Sequence, residues 1–147
     1  MVIIKENQDV LNRFFFHDLY ISNISYDVKN VLYEVSLADD MHYKTKGSIY
    51  LDNVLHFKHS LFYPWNADKD GPLIISSCYV VNDIPYVVDQ LNLKYRENLT
   101  IDNKKIYKSV GPAIELSKYF LFVILLSSGD TLEFLTDKLE VNGIKII

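Results

Sequence analysis

The stretch Tyr119 to Leu135, YFLFVILLSSGDTLEFL, constrains the fold more than any other part of the chain. An apolar β-prone run meets a Ser-Ser-Gly-Asp connection and is followed by an amphipathic run, which is the pattern of a β-hairpin. In the first arm Tyr119, Leu121, Val123 and Leu125 alternate with Phe120, Phe122, Ile124 and Leu126, so both faces are apolar. Such a strand belongs in the interior of a sheet covered on both sides. No residue of the hairpin is equipped for chemistry.

The remaining elements follow the same logic. Val10, Leu11 and Phe14 have helical spacing within a short helix over 7–15, and Leu19, Ile21, Ile24 and Tyr26 alternate with one slip at Ser22 and Asn23, predicting a β-bulge. After the polar turn Asp27 to Asn30, Val31, Tyr33, Val35 and Leu37 alternate cleanly and complete a second hairpin. Strand character returns over 48–51 and 54–57, split by Asp52-Asn53, and again over 73–81 around Cys78. Residues 84–95 fit either a helix capped by Asp83 or a strand, because Ile84, Val87, Val88 and Leu91 have one period while Leu91, Leu93 and Tyr95 have the other. A hairpin is expected over 99–107 around Asp102-Asn103, and another over 139–146 around Asn142-Gly143. The sum is seven to nine strands with one or two short helices. This is an α+β fold, predominantly antiparallel β, built as a single meander-like sheet or a partly closed sandwich or barrel.

At 147 residues, 49% apolar and 23% charged, without repeats or a Pro/Gly-rich linker, the chain is expected to form one globular domain over 1–147. Eleven Tyr and eight Phe suit both strands and protein interfaces. The net charge of -4 has the wrong sign for nonspecific phosphate binding, so no nucleic-acid partner is expected. The charge is uneven. Lys5, Arg13 and Lys29 stand against Glu6, Asp9, Asp18, Asp27, Glu34, Asp39 and Asp40 in the first forty residues, whereas Lys94, Arg96, Lys104, Lys105 and Lys108 face only Glu97 and Asp102 later on. The basic segment reads as a solvated loop or edge strand.

Cys78 is the single cysteine, which rules out an intramolecular disulfide, and the start MVIIKENQDV lacks the apolar core of a signal peptide. The apolar run 119–126 is too short for a membrane span. A reducing cytoplasm with no membrane partner is the expectation, in which the sequons at Asn23 and Asn98 stay unmodified.

Four motifs bear on chemistry, and each has a structural competitor. Asn66 to Gly71 opens like a calcium loop, but the twelfth position is Ser77 and Pro72 follows the glycine, so it reads as a polar turn. His56 and His59 share a face only on a helix, whereas their neighbours read as a strand end. His17-Asp18 has the form of the dyad in HD-type phosphohydrolases but lacks their upstream helical His, and a strand-start pair bonding backbone or imidazole is the preferred reading. Cys78 lies mid-strand among apolar neighbours, an inert buried thiol. No catalytic residue, metal or cofactor is expected.

The runs FFFHDLYISNISYDVKNVLYEVSL, KGSIYLDNV and FLFVILLSSGDTLEFL resemble small bacterial immunity proteins of polymorphic-toxin and contact-dependent inhibition systems, in an aromatic-His-Asp strand start, a β-meander and a closing Ser-Gly hairpin. The resemblance implies a cytoplasmic binder that neutralises one cognate toxin domain by occluding its active or substrate-binding surface, with no catalysis of its own. Two loops are the expected partner-binding surfaces: Asp39, Asp40, His42 and Tyr43 in one, and Tyr63, Trp65, Asp68 and Asp70 in the other. Acidic groups there would steer a basic toxin, and aromatic rings would anchor it. The alternative from another class is a small-molecule carrier with a barrel-like sheet, which the two-faced apolar strand disfavours. A third reading, a metal-dependent hydrolase, requires His17, Asp18, His56 and His59 to converge.

Overall fold

The chain alternates short strands with tight turns, and the computed structural model describes residues 1–39, 45–61, 73–91, 98–101, 104–107 and 113–146. The strands are β1 (Val2–Ile4), β2 (Tyr20–Asp27), β3 (Leu32–Ala38), β4 (Thr45–Asp52), β5 (His56–His59), β6 (Leu73–Val81), β7 (Asn98–Ile101), β8 (Lys104–Tyr107), β9 (Ala113–Glu115), β10 (Phe120–Leu126), β11 (Thr131–Thr136) and β12 (Lys138–Asn142). A 3-10 helix spans Lys5–Arg13, and one α-helix, α1, spans Ile84–Leu91. The described residues hold twelve strands, more than the seven to nine expected, since three-residue strands such as β1 and β9 are too short to display a period.

Nine strands form one hydrogen-bonded sheet in the order β1-β12-β4-β3-β2-β6-β10-β11-β5, and β8-β7-β9 form a small second sheet. Every pairing in the large sheet is antiparallel; β7 with β9 is parallel. The large sheet has two halves, joined between β2 and β6 by only two residue pairs, Tyr20 with Ile74 and Ile21 with Leu73. The halves face one another. Tyr33 of β3 meets Phe134 of β11 edge-on, ring centres 5.5 Å apart, although β2, β6 and β10 separate those strands in the sheet order. Phe57 stacks on Phe134 at 4.6 Å and touches Tyr33 at 5.3 Å, so one aromatic cluster bridges both halves. Each such pair adds roughly 0.5–1.5 kcal/mol beyond area burial.

The chain crosses between the halves at the β11–β12 corner. There the buried Thr136 hydroxyl bonds the Asp52 carbonyl, the Asn53 amide donates to the Asp137 carboxylate at 3.1 Å, and Lys138 pairs with Asp52 at 2.9 Å.

Local expectations are met where short-range chemistry governs them. β10 pairs with β11 on one side and β6 on the other, and its residues are buried except for half-buried Leu125. Its Phe120, Phe122, Ile124 and Leu126 join the main core, while Leu121 and Val123 join a second cluster with Ile84, Val87, Leu116 and Leu135. The β2–β3 register slips between Ile21 and Asn23, and the extra residue, Ser22, bonds the Ser36 carbonyl through its hydroxyl. Asp27 holds the following turn by accepting from the Lys29 and Asn30 backbone N–H groups. The Asn30 side-chain bond, followed by the backbone bonds, holds the Asp27 carboxyl below the usual carboxylate range.

Of the ambiguous segment 84–95, residues 84–91 form a helix, and 92–95 lie outside the described residues. Asp83 accepts from the Tyr86 N–H through Oδ1 and from the Val87 N–H through its carbonyl, and Pro85 falls in the first turn, where its missing N–H costs nothing. Two expectations fail. The helix over 7–15 is a 3-10 helix over 5–13 with non-helical backbone at Asn7, because the Asn7 side chain is bonded back to β1. The hairpin over 139–146 does not form: beyond Gly143, at φ +76°, the chain leaves β12 and Ile146 bridges to Phe14 instead.

Candidate functional site

A corner beside the start of β2 gathers several of the side chains singled out in the sequence. It begins with Phe14, Phe15 and Phe16, an extended segment bonded to the C-terminal arm through the Phe14–Ile146 bridge and the Phe15 N–H to the Lys145 carbonyl at 2.9 Å. Extended backbone sends successive side chains to opposite sides. Phe14 and Phe16 are buried with ring centres 5.8 Å apart, and Phe15 points outward, 48% exposed.

The chain then turns through His17 and Asp18, closed by the Leu19 N–H to the Phe16 carbonyl at 3.1 Å. Asp18 occupies the third turn position at φ +67°, a left-handed conformation that Asp tolerates better than most residues. The Asp18 N–H donates to the Ile75 carbonyl at 2.9 Å, and His17 Nδ1 donates to the Ser76 carbonyl at 2.9 Å. His17 Nε2 lies 3.4 Å from Asp18 Oδ1, so the dyad is the strand-start pair preferred from the sequence. Both groups are largely exposed, and water screening leaves such a pair little stabilising weight.

Across the corner, Asp39 follows β3 and pairs with Lys46 at 3.4 Å. A cavity of about 310 Å³ is lined by Phe15, His17, Asp18, Asp39, Lys46 and Lys145, among others. Gly47 and Gly143 permit the tight approach that brings Lys46 and Lys145 here, since a Cβ on Gly47 would meet the Asn142 carbonyl and one on Gly143 the Lys46 carbonyl. The corner is therefore mixed in charge.

The structure thus brings Asp39 together with His17 and Asp18, because the β2–β3 hairpin sets the start of β2 beside the end of β3. Asp40, His42, Tyr43, Tyr63, Trp65, Asp68, Asp70 and the segment Asn66 to Gly71 lie outside the described residues. Phe15 was missed, and its only signal was the period-two burial of three consecutive phenylalanines.

The other motifs do not join this corner. His56 and His59, three apart on β5, point to opposite faces, and β10 and β11 separate that strand from β6. Among the described residues no three His, Cys, Asp or Glu side chains gather as a metal-binding group, so the convergence a hydrolase would need from His17, Asp18, His56 and His59 is not seen. Cys78 lies on β6, packed against the main core, and burial pushes its thiol pKa up, away from a reactive thiolate. Among the described residues no helix is long and apolar enough to cross a membrane.

No protein-family model matches the chain, and no curated protein matches it. A crystal structure of an uncharacterized protein from Neisseria gonorrhoeae is similar over 97% of both chains, with 15% sequence identity and a TM-score of 0.48.

Proposed function

We propose that this chain is a protein-binding module of the bacterial cytoplasm, an immunity protein that neutralises a cognate toxin domain by covering its active or substrate-binding surface. The observation that carries this reading is Phe15: an exposed ring on backbone anchored by buried Phe14 and Phe16 and by a bond to the C-terminal arm, with Asp18, Asp39, Lys46 and Lys145 around it. An aromatic anchor on ordered backbone loses less conformational freedom on binding, and the Asp18 carboxylate, which among the described residues has no lysine paired to it, is placed to meet a basic group of a nucleic-acid-directed toxin. The protein acts by occlusion and brings no catalysis of its own.

The test is co-expression in a bacterial host with a toxin domain encoded beside its gene, scored by survival, together with titration of the purified pair. Survival and a complex weakened by Phe15→Ala are the expected results. Growth arrest despite soluble expression, with no complex in vitro, overturns the reading.

A further inference from the structure

A second concavity lies on the opposite face of the β6-β10-β11-β5 half, away from the main core. The register there places Lys58, Glu133, Val123 and Tyr79 in one transverse row across β5, β11, β10 and β6. Two residues along, Leu135, Leu121 and Val81 form the next row on the same face, packed with Ile84 and Val87 of α1. The helix covers that second row and leaves a cavity of about 190 Å³ along the first, lined by Lys58, Glu133, Tyr79 and Tyr86 over an apolar floor that includes Val81, Leu121 and Val123. This is room for about six waters at roughly 30 Å³ each, the space of a compact metabolite and below that of a drug-sized ligand.

The polar groups around the cavity are unspent. Lys58 and Glu133 are direct cross-strand partners of opposite charge, a placement that ordinarily yields an ion pair, yet among the described residues neither makes one. Tyr79 and Tyr86, 43% and 56% exposed, likewise have no side-chain hydrogen bond among the described residues. One anionic and one cationic group stand side by side, with two electron-rich rings and an apolar floor beyond them.

We propose that this cavity binds a small zwitterion of the α-amino-acid type with an apolar side chain. The ligand ammonium would bond Glu133 within reach of the tyrosine rings, which favour a cation; the carboxylate, one carbon away, would bond Lys58; the side chain would pack against the exposed rings of Tyr79 and Tyr86. A simple cation leaves Lys58 repelling it, and a simple anion meets Glu133, so both charges of the ligand are required. No described lining residue is shared with the Phe15 corner, and the two proposals stand or fall separately.

The experiment titrates 15N-labelled protein with phenylalanine, N-acetylphenylalanine and phenylalaninamide, following backbone amide shifts. The expected result is saturable shifts at Tyr79, Val123 and Glu133 with phenylalanine, and weaker binding of both blocked analogues. Glu133→Gln should weaken phenylalanine about tenfold or more, as loss of one charge-assisted hydrogen bond demands, yet leave N-acetylphenylalanine equal or tighter because that carboxylate repels it, and Lys58→Gln should weaken phenylalanine similarly yet leave phenylalaninamide equal or tighter. Circular dichroism confirms that each variant is folded, and the two analogues test the same charges in the unaltered protein. Absence of saturable shifts with phenylalanine, shifts confined to another surface, or equal affinity for the three ligands overturns the proposal.

Discussion

The side-chain amide of Asn7 donates to the carbonyl oxygen of Val2 at 3.1 Å, so the edge of the nine-stranded sheet is closed by a residue only five positions along the chain. The same side chain accepts from the Ile4 N–H at 2.7 Å. On its inner side β1 is paired with β12, which leaves the Val2 carbonyl and the Ile4 N–H pointing outward, and one asparagine supplies the complementary acceptor and donor that a neighbouring strand would offer.

Asn7 is predicted to guard this edge against pairing with other chains. Asn7→Ala should cost on the order of 1 kcal/mol in urea unfolding, because the released groups return to water rather than being buried. It should also raise self-association in sedimentation velocity, since Val2 and Ile4 are exposed apolar side chains on the freed strand. An unchanged monomer fraction and midpoint would refute the role.

The two faces of β10 should differ in their sensitivity to truncation. Phe122→Ala removes a fully buried ring from the main core and should cost about 3–5 kcal/mol, whereas Val123→Ala, on the face shared with α1, should cost roughly 2 kcal/mol. Chemical denaturation checks both values. Near-neutral results would show that the strand is not a core element.

Alkaline pH should destabilise the protein through Tyr119. Burial, reinforced by the nearby charge of Asp137, pushes its phenol up to about 12 from an ordinary value of 10.0. The unfolded chain therefore releases this proton first, and stability falls as pH rises from about 10 to about 12, being fully present below that window. Cys78, also raised by burial, acts in the same direction and begins nearer 9.0. Denaturation midpoints measured across this range should fall less steeply in Tyr119→Phe; equal slopes would disprove the assignment.

Binding kinetics should separate the ring from the charges at the Phe15 corner. Phe15→Ala should mainly speed dissociation from the cognate toxin, with a loss of roughly 2 kcal/mol if the ring is a hot spot. Asp18→Asn should mainly slow association and flatten its salt dependence, and Asp39→Asn should do less because Lys46 already offsets that charge. Stopped-flow mixing resolves both rates. Unchanged kinetics in all three variants would move the interface elsewhere.

What could be read in advance was what neighbouring residues decide among themselves. The hairpin across Ser127 to Asp130 and the bulge at Ser22 each arise from groups a few positions apart, and their patterns are visible as periodicity, whereas the Asp83 cap left helix and strand both open until the structure decided it. The two apolar faces of β10 likewise announced an interior strand, because only a sheet covered on both sides can bury them.

Partner choice between distant strands was settled only by the tertiary structure. β4 and β5 are separated by three residues, yet β4 pairs with β3 and β12 while β5 pairs with β11 in the facing half. Alternation reports which face a side chain takes and is the same whichever strand lies alongside, so it carries no information on that choice. Both candidate surfaces depend on it. Lys145 reaches the Phe15 corner because the C-terminal arm folds back on Phe14, and Lys58, Glu133, Val123 and Tyr79 form a row only because β5 and β6, from elsewhere in the chain, flank the β10–β11 hairpin.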